Sequence, residues 1–266
     1  MWRALDGGAT PASNDRGMNN LDKLRETYRD GGVQAVLRGV RRRVVLRAFE
    51  ALKTPFHRGS PPEPSHLVFQ RFVDEVNALE HPRLLEVGSR ARSGNVQTQR
   101  FPRAEYVGFD VMPGENVHVV GDAHDLASHF PAEHFDAAFA FSVFEHLAMP
   151  WKVVLELNRV LKPGGLVGVF THPTYPPHDR PWDFWRFSPE AFEVLFSAPC
   201  GFDLLACAEG LPCSIVPLAS EPSLVGLWRE PAFLAVAALA RKTGPADPRL
   251  RWDVPLTDVL SSRYPR

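Results

Sequence analysis

The sequence contains few cysteines, and their spacing argues against a zinc site or a disulfide framework. There are three in 266 residues, namely Cys200, Cys207 and Cys213, with neither a CxxC pair nor an even count. Small secreted domains stapled by disulfides use many more cysteines in regular pairs. This usage therefore favours the reducing cytoplasm as the location of the protein.

The chain also lacks an excess of one charge and a long apolar run. Its 30 Lys and Arg residues nearly balance 31 Asp and Glu residues, so no global field calls for nucleic acid as a partner. No apolar stretch approaches the length of a membrane span. The first residues have no continuous apolar core, which argues against a secretory signal. The length allows one large core with extensions.

The first 65 residues predict extensions rather than the main core. Residues 1–20 are rich in Gly, Ala, Ser, Asn and Asp, which is typical of disorder. Residues 21–58 predict a basic amphipathic helical extension, because apolar residues recur at helical spacing and arginines from Arg38 to Arg47 cover much of the rest. This helix either contacts a membrane surface peripherally or packs on its own domain with a solvated arginine face. The proline-rich residues 59–65 predict a linker.

The next part of the chain alternates strand patterns with helix patterns. A helix is predicted from Ser65 to about Leu79, and the run Arg83–Val87 has the pattern of a buried strand that stops at Gly88. Further strands are predicted at residues 105–110, 117–120, 135–141, 166–170, 202–208 and 233–241, with helices starting near residues 95, 150 and 189. Such alternation predicts βαβ units and a parallel sheet.

Two residues after the first strands predict a nucleotide-like ligand. Gly88 allows the backbone to approach a ligand closely, and ligands of open α/β sheets bind at the carboxyl ends of the strands. Asp110 follows about twenty positions later, where a carboxylate suits the hydroxyls of a ribose. It could equally cap the next turn. A full GxGxxG is missing, which disfavours a nicotinamide-dependent oxidoreductase.

Six short motifs, in order, resemble those of class I S-adenosylmethionine-dependent methyltransferases between about Leu67 and Lys242. They are Leu85-Glu86-Val87-Gly88, Tyr106-Val107-Gly108-Phe109-Asp110, Gly121-Asp122-Ala123, Phe135-Asp136, Ser142-Val143-Phe144-Glu145-His146-Leu147 and Leu161-Lys162-Pro163-Gly164-Gly165. The resemblance implies an α/β, Rossmann-like fold. This fold is a seven-stranded, mostly parallel sheet with an antiparallel last strand and helices on both faces, here with the N-terminal helical extension added.

The same resemblance implies the domain limits and the cofactor site. The methyltransferase domain would cover residues 66–243 with an insertion at 210–231, and an irregular tail would follow at 244–266. The implied S-adenosylmethionine-binding residues are Glu86, Gly88, Ser89, Asp110, Asp122, Ala123, Phe141 and Ser142. Among them, Glu86 would lie near the amino group, Asp110 at the ribose hydroxyls and Asp122 at the adenine amine. The ammonium, hydroxyl and amine donors of the cofactor suit carboxylates at strand ends.

The loop after the first strand departs from the family pattern. The family usually has glycine at alternate positions after Glu86, but this chain has Arg90 and Arg92, and only Gly94 remains nearby. Two interpretations follow from this difference. The chain is either an active methyltransferase with an altered loop, or a methyltransferase-like binding module that is catalytically weak or inactive.

The segment 171–187 is rich in aromatic residues, histidines, acids and prolines, and it follows the fifth strand at the ligand edge. It predicts a preorganised substrate wall, although an aromatic plug over the core is the alternative. The predicted substrate-binding residues are His172, Tyr175, Trp182, Trp185 and Arg186. No metal is predicted, because no carboxylate triad accompanies the histidines in the sequence.

The resemblance makes methyl transfer to an oxygen of a small molecule or glycan the expected reaction. A hydroxyl acceptor benefits from a general base, for which His178, His146 and Asp179 are the candidates. No nucleic-acid partner is expected. The insertion at 210–231 would either cover the pocket or form a homodimer contact.

Overall fold

The structure is a computed structural model that describes most of the chain. The described residues are 25, 28, 29, 31–34, 36, 37, 39–41, 43, 44, 47, 48, 62–91, 96–217, 221–252 and 255. They belong to two compact units, Met1–Pro61 and Pro62–Arg266. The expectation of disorder for residues 1–20 lies outside the described residues, as do Arg38, Arg92, Gly94 and residues 59–61 of the predicted linker. The last two residues of that linker, Pro64 and Ser65, instead begin a helix.

In the first unit, all the described residues between 25 and 48 are helical. Several large apolar side chains of this unit are exposed, and Arg41, Arg43 and Arg47 are exposed beside them. Among the described residues of the whole chain, no helix combines the length and the apolar character needed to cross a membrane.

The second unit is built on one seven-stranded sheet. The strands are β1 (Arg83–Val87), β2 (Glu105–Asp110), β3 (Val119–Val120), β4 (Phe135–Phe141), β5 (Leu161–Thr171), β6 (Phe202–Ser214) and β7 (Pro231–Lys242). Their order in the sheet is β3-β2-β1-β4-β5-β7-β6. Strand β7 is antiparallel to both neighbours, and the other pairings are parallel. This arrangement confirms the predicted fold.

Three helices cover the two faces of the sheet: α1 (Pro64–Asn77), α2 (Pro150–Val160) and α3 (Pro189–Leu195). Each helix has a proline in its first turn, where a missing N–H costs nothing. Strand β4 shows why both faces need cover. Its side chains alternate between a core cluster that contains α1 and a second cluster that contains α2 and α3. Both faces of β4 are thus buried, as expected for a central parallel strand.

Several boundaries differ from the sequence predictions, including the start of β5, which lies at Leu161 rather than at residue 166. The helix predicted from residue 95 is a single 3-10 turn at Thr98–Arg100. Strand β3 begins only at Val119, although the backbone N–H of His118 already donates to the carbonyl of Gly108 at 2.8 Å and its ring accepts the N–H of Gly108 at 2.9 Å. Strands β6 and β7 remain paired out to Ser214 and Pro231. The segment predicted as an insertion therefore starts as a two-stranded extension of the sheet.

Candidate functional site

The carboxyl ends of β1, β2, β4 and β5 meet at one edge of the sheet, and the turn after β1 is the tightest feature there. Gly88 has a φ of +78°, and a Cβ atom at this position would overlap Cγ2 of Val143. The N–H groups of Gly88 and Ser89 both donate to the carbonyl of Phe109, at 2.7 and 3.1 Å. Only glycine satisfies both the backbone conformation and the close packing.

Glu86 is a buried carboxylate at this edge. Its side chain accepts a hydrogen bond from the hydroxyl of Tyr106 and one from Asn116 Nδ2 at 3.4 Å. Burial raises the pKa of Glu86 to about 7, although the two hydrogen bonds act in the opposite direction. Asn116 has a φ of +69° and also donates to the carbonyl of Ser89 at 2.9 Å. It therefore joins Glu86 to the turn after β1.

Asp110, at the end of β2, is 9% exposed. It accepts the N–H of Met112 at 2.9 Å and that of Arg90 at 3.2 Å. The side chain of Arg90 runs alongside, with its Nε 3.8 Å from Asp110 Oδ1. This Nε is buried and has no hydrogen-bond partner within the described part of the chain. The altered loop thus places a guanidinium beside the carboxylate expected at the ribose.

Asp122 follows β3 and is oriented by His124. Its Oδ1 accepts the N–H of His124 at 2.9 Å and the ring Nδ1–H at 2.6 Å. The other ring nitrogen of His124 accepts the N–H of Met149 at 3.1 Å, which fixes the tautomer. Burial alone raises the pKa of Asp122, but the hydrogen bonds from His124 outweigh it and hold the pKa below its usual value. The neighbouring Ala123 is buried.

Phe141 and Ser142 end β4 and lead toward a group of histidines. The ring of Phe141 is stacked on Phe170 with a centroid distance of 4.5 Å. Ser142 has a φ of +55°, and its hydroxyl lies 3.4 Å from His172 Nε2. The predicted methionine side of the cofactor site therefore adjoins the segment after β5.

Glu145 is the centre of this group, and the sequence analysis assigned it no role. Its side chain is fully buried, and Oε2 accepts the hydroxyl of Thr171 at 2.6 Å. The other oxygen, Oε1, lies 3.4 Å from His172 Nε2 and 3.9 Å from His146 Nε2. Glu145 stands between Phe144 and His146 just after β4, and this position of a carboxylate is the sequence signal that could have pointed to its role.

Backbone carbonyls orient the imidazole rings around Glu145. His146 Nδ1 lies 2.5 Å from the carbonyl oxygen of Trp182, and His172 Nδ1 lies 2.8 Å from that of Leu234. A carbonyl can only accept, so each Nδ1 carries a hydrogen and each Nε2 is left to face the glutamate. His178 packs edge-on against His146, with ring centroids 4.8 Å apart. The structure thus brings His146, His172 and His178 together.

An ion pair inside the segment 171–187 holds this arrangement. Arg186 donates to Asp183 at 2.6 and 2.9 Å and also to the carbonyls of Tyr175, Pro176 and Trp185. The bidentate hydrogen bonds from Arg186 hold the pKa of Asp183 well below its usual range. Arg186 therefore secures the loop itself rather than presenting a free guanidinium to a substrate.

The aromatic residues of the loop divide into two roles. Trp182 is only 6% exposed, as the alternative of an aromatic plug predicts. Trp185 is 38% exposed, and its indole N–H donates to the carbonyl of Leu147 at 2.9 Å. Tyr175 is 43% exposed and stacks on His172 at 4.4 Å. Asp179 lies at an exposed turn with a φ of +49°.

A methyltransferase-domain family profile matches residues 86–169, from Glu86 at the end of β1 into β5. This stretch, about a third of the chain, is similar to methyltransferase domains. The carboxylates at the ends of β1, β2 and β3 suit the ammonium, hydroxyl and amine groups of S-adenosylmethionine, the cofactor that the sequence resemblance implies.

Solved structures resemble the chain at low identity. A methyltransferase from Archaeoglobus fulgidus is 15% identical, with a TM-score of 0.49, over 73% of this chain and 99% of that one. The YcgJ protein from Bacillus subtilis is 19% identical over 66% and 97%, with a TM-score of 0.47. A methyltransferase from Mesorhizobium loti is 14% identical over 64% and 96%, with a TM-score of 0.43. A search of curated proteins gives no significant match.

Proposed function

We propose that the chain is a class I S-adenosylmethionine-dependent methyltransferase that transfers the methyl group to a hydroxyl oxygen of a small molecule or a glycan. The observation that carries the proposal is the group of three imidazoles around the buried Glu145, at the carboxyl ends of β4 and β5. A hydroxyl must lose its proton as it attacks, and imidazole is the side chain best suited to accept that proton near neutral pH.

The cofactor would be held by the acids at the other strand ends. Glu86 would pair with the ammonium group, Asp110 with the ribose hydroxyls and Asp122 with the adenine amine. Gly88, Ser89 and Ala123 would offer backbone groups, while Phe141 and Ser142 would border the methionine side. When bound, S-adenosylmethionine supplies a methyl group on a sulfonium centre. Ser142 lies 3.4 Å from His172, so the methyl group would face the imidazoles.

The reaction then depends mainly on alignment and one proton transfer. The hydroxyl oxygen attacks the methyl carbon, and the electron pair of the carbon–sulfur bond stays on sulfur, which leaves S-adenosylhomocysteine. The hydroxyl proton would pass to an imidazole Nε2, which can accept it in the neutral tautomer whose Nδ1–H is donated to a carbonyl. Glu145 stabilises the imidazolium that forms. Holding the two reacting atoms in line supplies much of the remaining rate.

The acceptor would rest on the exposed aromatic rings of the loop. The backbone N–H of Trp185 donates to the carbonyl of Glu145 at 3.2 Å, and its indole is fixed by Leu147. Its position relative to Glu145 is therefore set by the backbone. Tyr175 packs against His172 on the same loop. A flat sugar face or an aromatic ring suits such a wall.

The test is an assay with deuterated-methyl S-adenosylmethionine and acceptor pairs that differ only in a hydroxyl or an amino group. We expect the label in the product of the hydroxyl compounds, attached to oxygen. The His172→Gln variant should lower kcat by about 10²-fold or more. The matched control is His134→Gln, because His134 packs on Phe135 at the start of β4. Methyl transfer confined to nitrogen or carbon would contradict the proposal.

A further inference from the structure

We infer that Glu145, His146 and His178 form a binding site for a divalent transition-metal cation such as Zn²⁺ or Mn²⁺. One ligand atom from each residue lies within 4.8 Å of the others. The sequence predicted no metal because no carboxylate triad accompanies the histidines along the chain. The fold brings one carboxylate to them, since Glu145 follows β4 and His178 belongs to the loop after β5.

The first argument is the unsatisfied oxygen of Glu145. The side chain is 0% exposed, and its Oε1 has no hydrogen-bond partner within the described part of the chain. A buried carboxylate oxygen without a donor is costly, and more so when the group is charged. Oε1 lies beside Nε2 of His146 and Nε2 of His172. A cation beside Oε1 would remove the cost.

The second argument is the orientation of the imidazoles. The Nδ1–H of His146 is directed at the carbonyl of Trp182, and Nδ1 of His178 lies 3.1 Å from that of Pro176. In the neutral ring the other nitrogen, Nε2, carries a lone pair, and Nε2 of His146 faces Oε1 of Glu145 at 3.9 Å. Histidine ligands of metals usually donate their other ring N–H to a carbonyl or carboxylate in this way. The arrangement is therefore that of ligands already oriented for a metal.

The donor set indicates the class of cation. Two imidazoles and one carboxylate match catalytic zinc sites and other sites for divalent first-row metals, which keep a position open for water or substrate. Ligand atoms around a tetrahedral zinc ion lie about 3.4 Å apart, because each bond is about 2.1 Å long. The side chain of His178 is 28% exposed on the loop surface. His146 Nε2 lies 3.9 Å from Glu145 Oε1, and all three ligand atoms lie within 4.8 Å of one another, so a bound cation would draw them together by at most about 1.4 Å.

His172 would then stay beside the cation as the base. Its Nε2 lies 3.4 Å from Glu145 Oε1 and the same distance from Ser142 Oγ. A hydroxyl bound at the open position of the metal would be more acidic and would pass its proton to His172. This use of the metal rests on the proposed function, whereas binding of the cation does not.

The test is metal binding by the full-length chain after treatment with a chelator. Calorimetry with Zn²⁺ and Mn²⁺ should show one cation per chain, and Co²⁺ should give the visible absorption of nitrogen and oxygen ligation without thiolate bands. We expect Glu145→Gln and His178→Asn each to weaken binding by at least about tenfold. His134→Gln should leave it unchanged. The exposed His178 keeps the test valid even if the buried variant does not fold.

Two outcomes would overturn the inference. One is the absence of binding, which would leave a shared proton rather than a metal between Glu145 and the histidines. The other is binding that neither ligand variant weakens. Oxygen methylation at an undiminished rate in chelator-treated protein would overturn the catalytic use of the metal but not the proposed function. Metal binding together with methylation only of nitrogen would support the metal site and contradict the proposed function.

Discussion

Arg90 occupies a loop position where related methyltransferases usually have glycine, and its guanidinium lies beside Asp110. The ion pair competes with the ribose hydroxyls for the same carboxylate. We predict that Arg90→Ala tightens S-adenosylmethionine binding by about two- to fivefold, as expected for removal of a partly exposed ion pair worth at most about 1 kcal/mol. Calorimetry of both proteins measures the change. Weaker binding in the variant would mean that Arg90 instead contacts the cofactor.

Glu86 makes cofactor affinity depend on pH. Burial raises its pKa to about 7, so at lower pH most of the free protein carries a neutral Glu86. The ammonium group of the cofactor requires the carboxylate, which must lose its proton on binding. Affinity for S-adenosylhomocysteine should therefore fall about tenfold between pH 8 and pH 6. Glu86→Gln should bind about tenfold or more weakly and without this dependence. If the affinity of Glu86→Gln for S-adenosylhomocysteine fell by the same factor between pH 8 and pH 6, Glu86 would not be the origin of the pH dependence.

The sequence predicted the positions of residues at strand ends better than the positions of residues that loops bring together. Glu86 and Asp110 lie at strand ends, so strand patterns were enough to place them at one edge. Glu145 and His178 are separated by β5 and a loop with few regular hydrogen bonds, and only the folded loop places them together. The roles of Trp182 and Arg186 likewise depend on burial and pairing that no local pattern encodes.

At the scale of elements, the junction between β1 and the loop after β4 fixes the edge of the sheet. Gly88→Ala should destabilise the fold by about 2–4 kcal/mol, because the positive φ and the overlap with Val143 both add cost. In the Gly88→Ala protein, Val143→Ala should recover the free energy of unfolding that is lost to the overlap but not the part that is lost to the positive φ. Urea unfolding of the two single variants and the double variant measures this. Strictly additive effects would refute the contact.

Local sequence patterns predicted the limits of some strands and helices but not of others. Strands β2 and β4 have the predicted limits, since each is a buried apolar run bounded by polar or turn residues. The helix expected near residue 95 is only one 3-10 turn, because the propensity of a short segment is weak without a packed face. Strand β6 extends beyond its prediction because β7 supplies a partner as far as Ser214. Cross-strand pairing of that kind is not local.

At the scale of the whole molecule, the N-terminal unit carries features of a surface-binding helix. Val33, Leu37, Val40 and Val44 follow helical spacing and are each between 47% and 63% exposed, and three exposed arginines accompany them. We propose that this unit contacts anionic membrane surfaces. The chain should bind vesicles that contain anionic lipid, and this binding should weaken as the salt concentration rises. Reversing Arg41, Arg43 and Arg47 to Glu should weaken binding at least tenfold, given about 1 kcal/mol per basic residue.

Neutral vesicles are the control for this prediction, together with the affinity for S-adenosylhomocysteine, which the three reversals should leave unchanged. Equal binding to neutral and anionic vesicles would contradict a role for the arginines. No binding to either would favour the alternative that the helix packs on its own domain with its arginines in solvent.

The central claim is that one edge of the sheet holds the methyl donor with its sulfur directed at the Glu145–histidine group. A crystal structure of the complex with S-adenosylhomocysteine tests this most directly. We predict the ribose at Asp110, the amino group at Glu86 and the sulfur facing His172. A cofactor bound with its sulfur away from His146 and His172, or bound elsewhere on the sheet, would contradict the account.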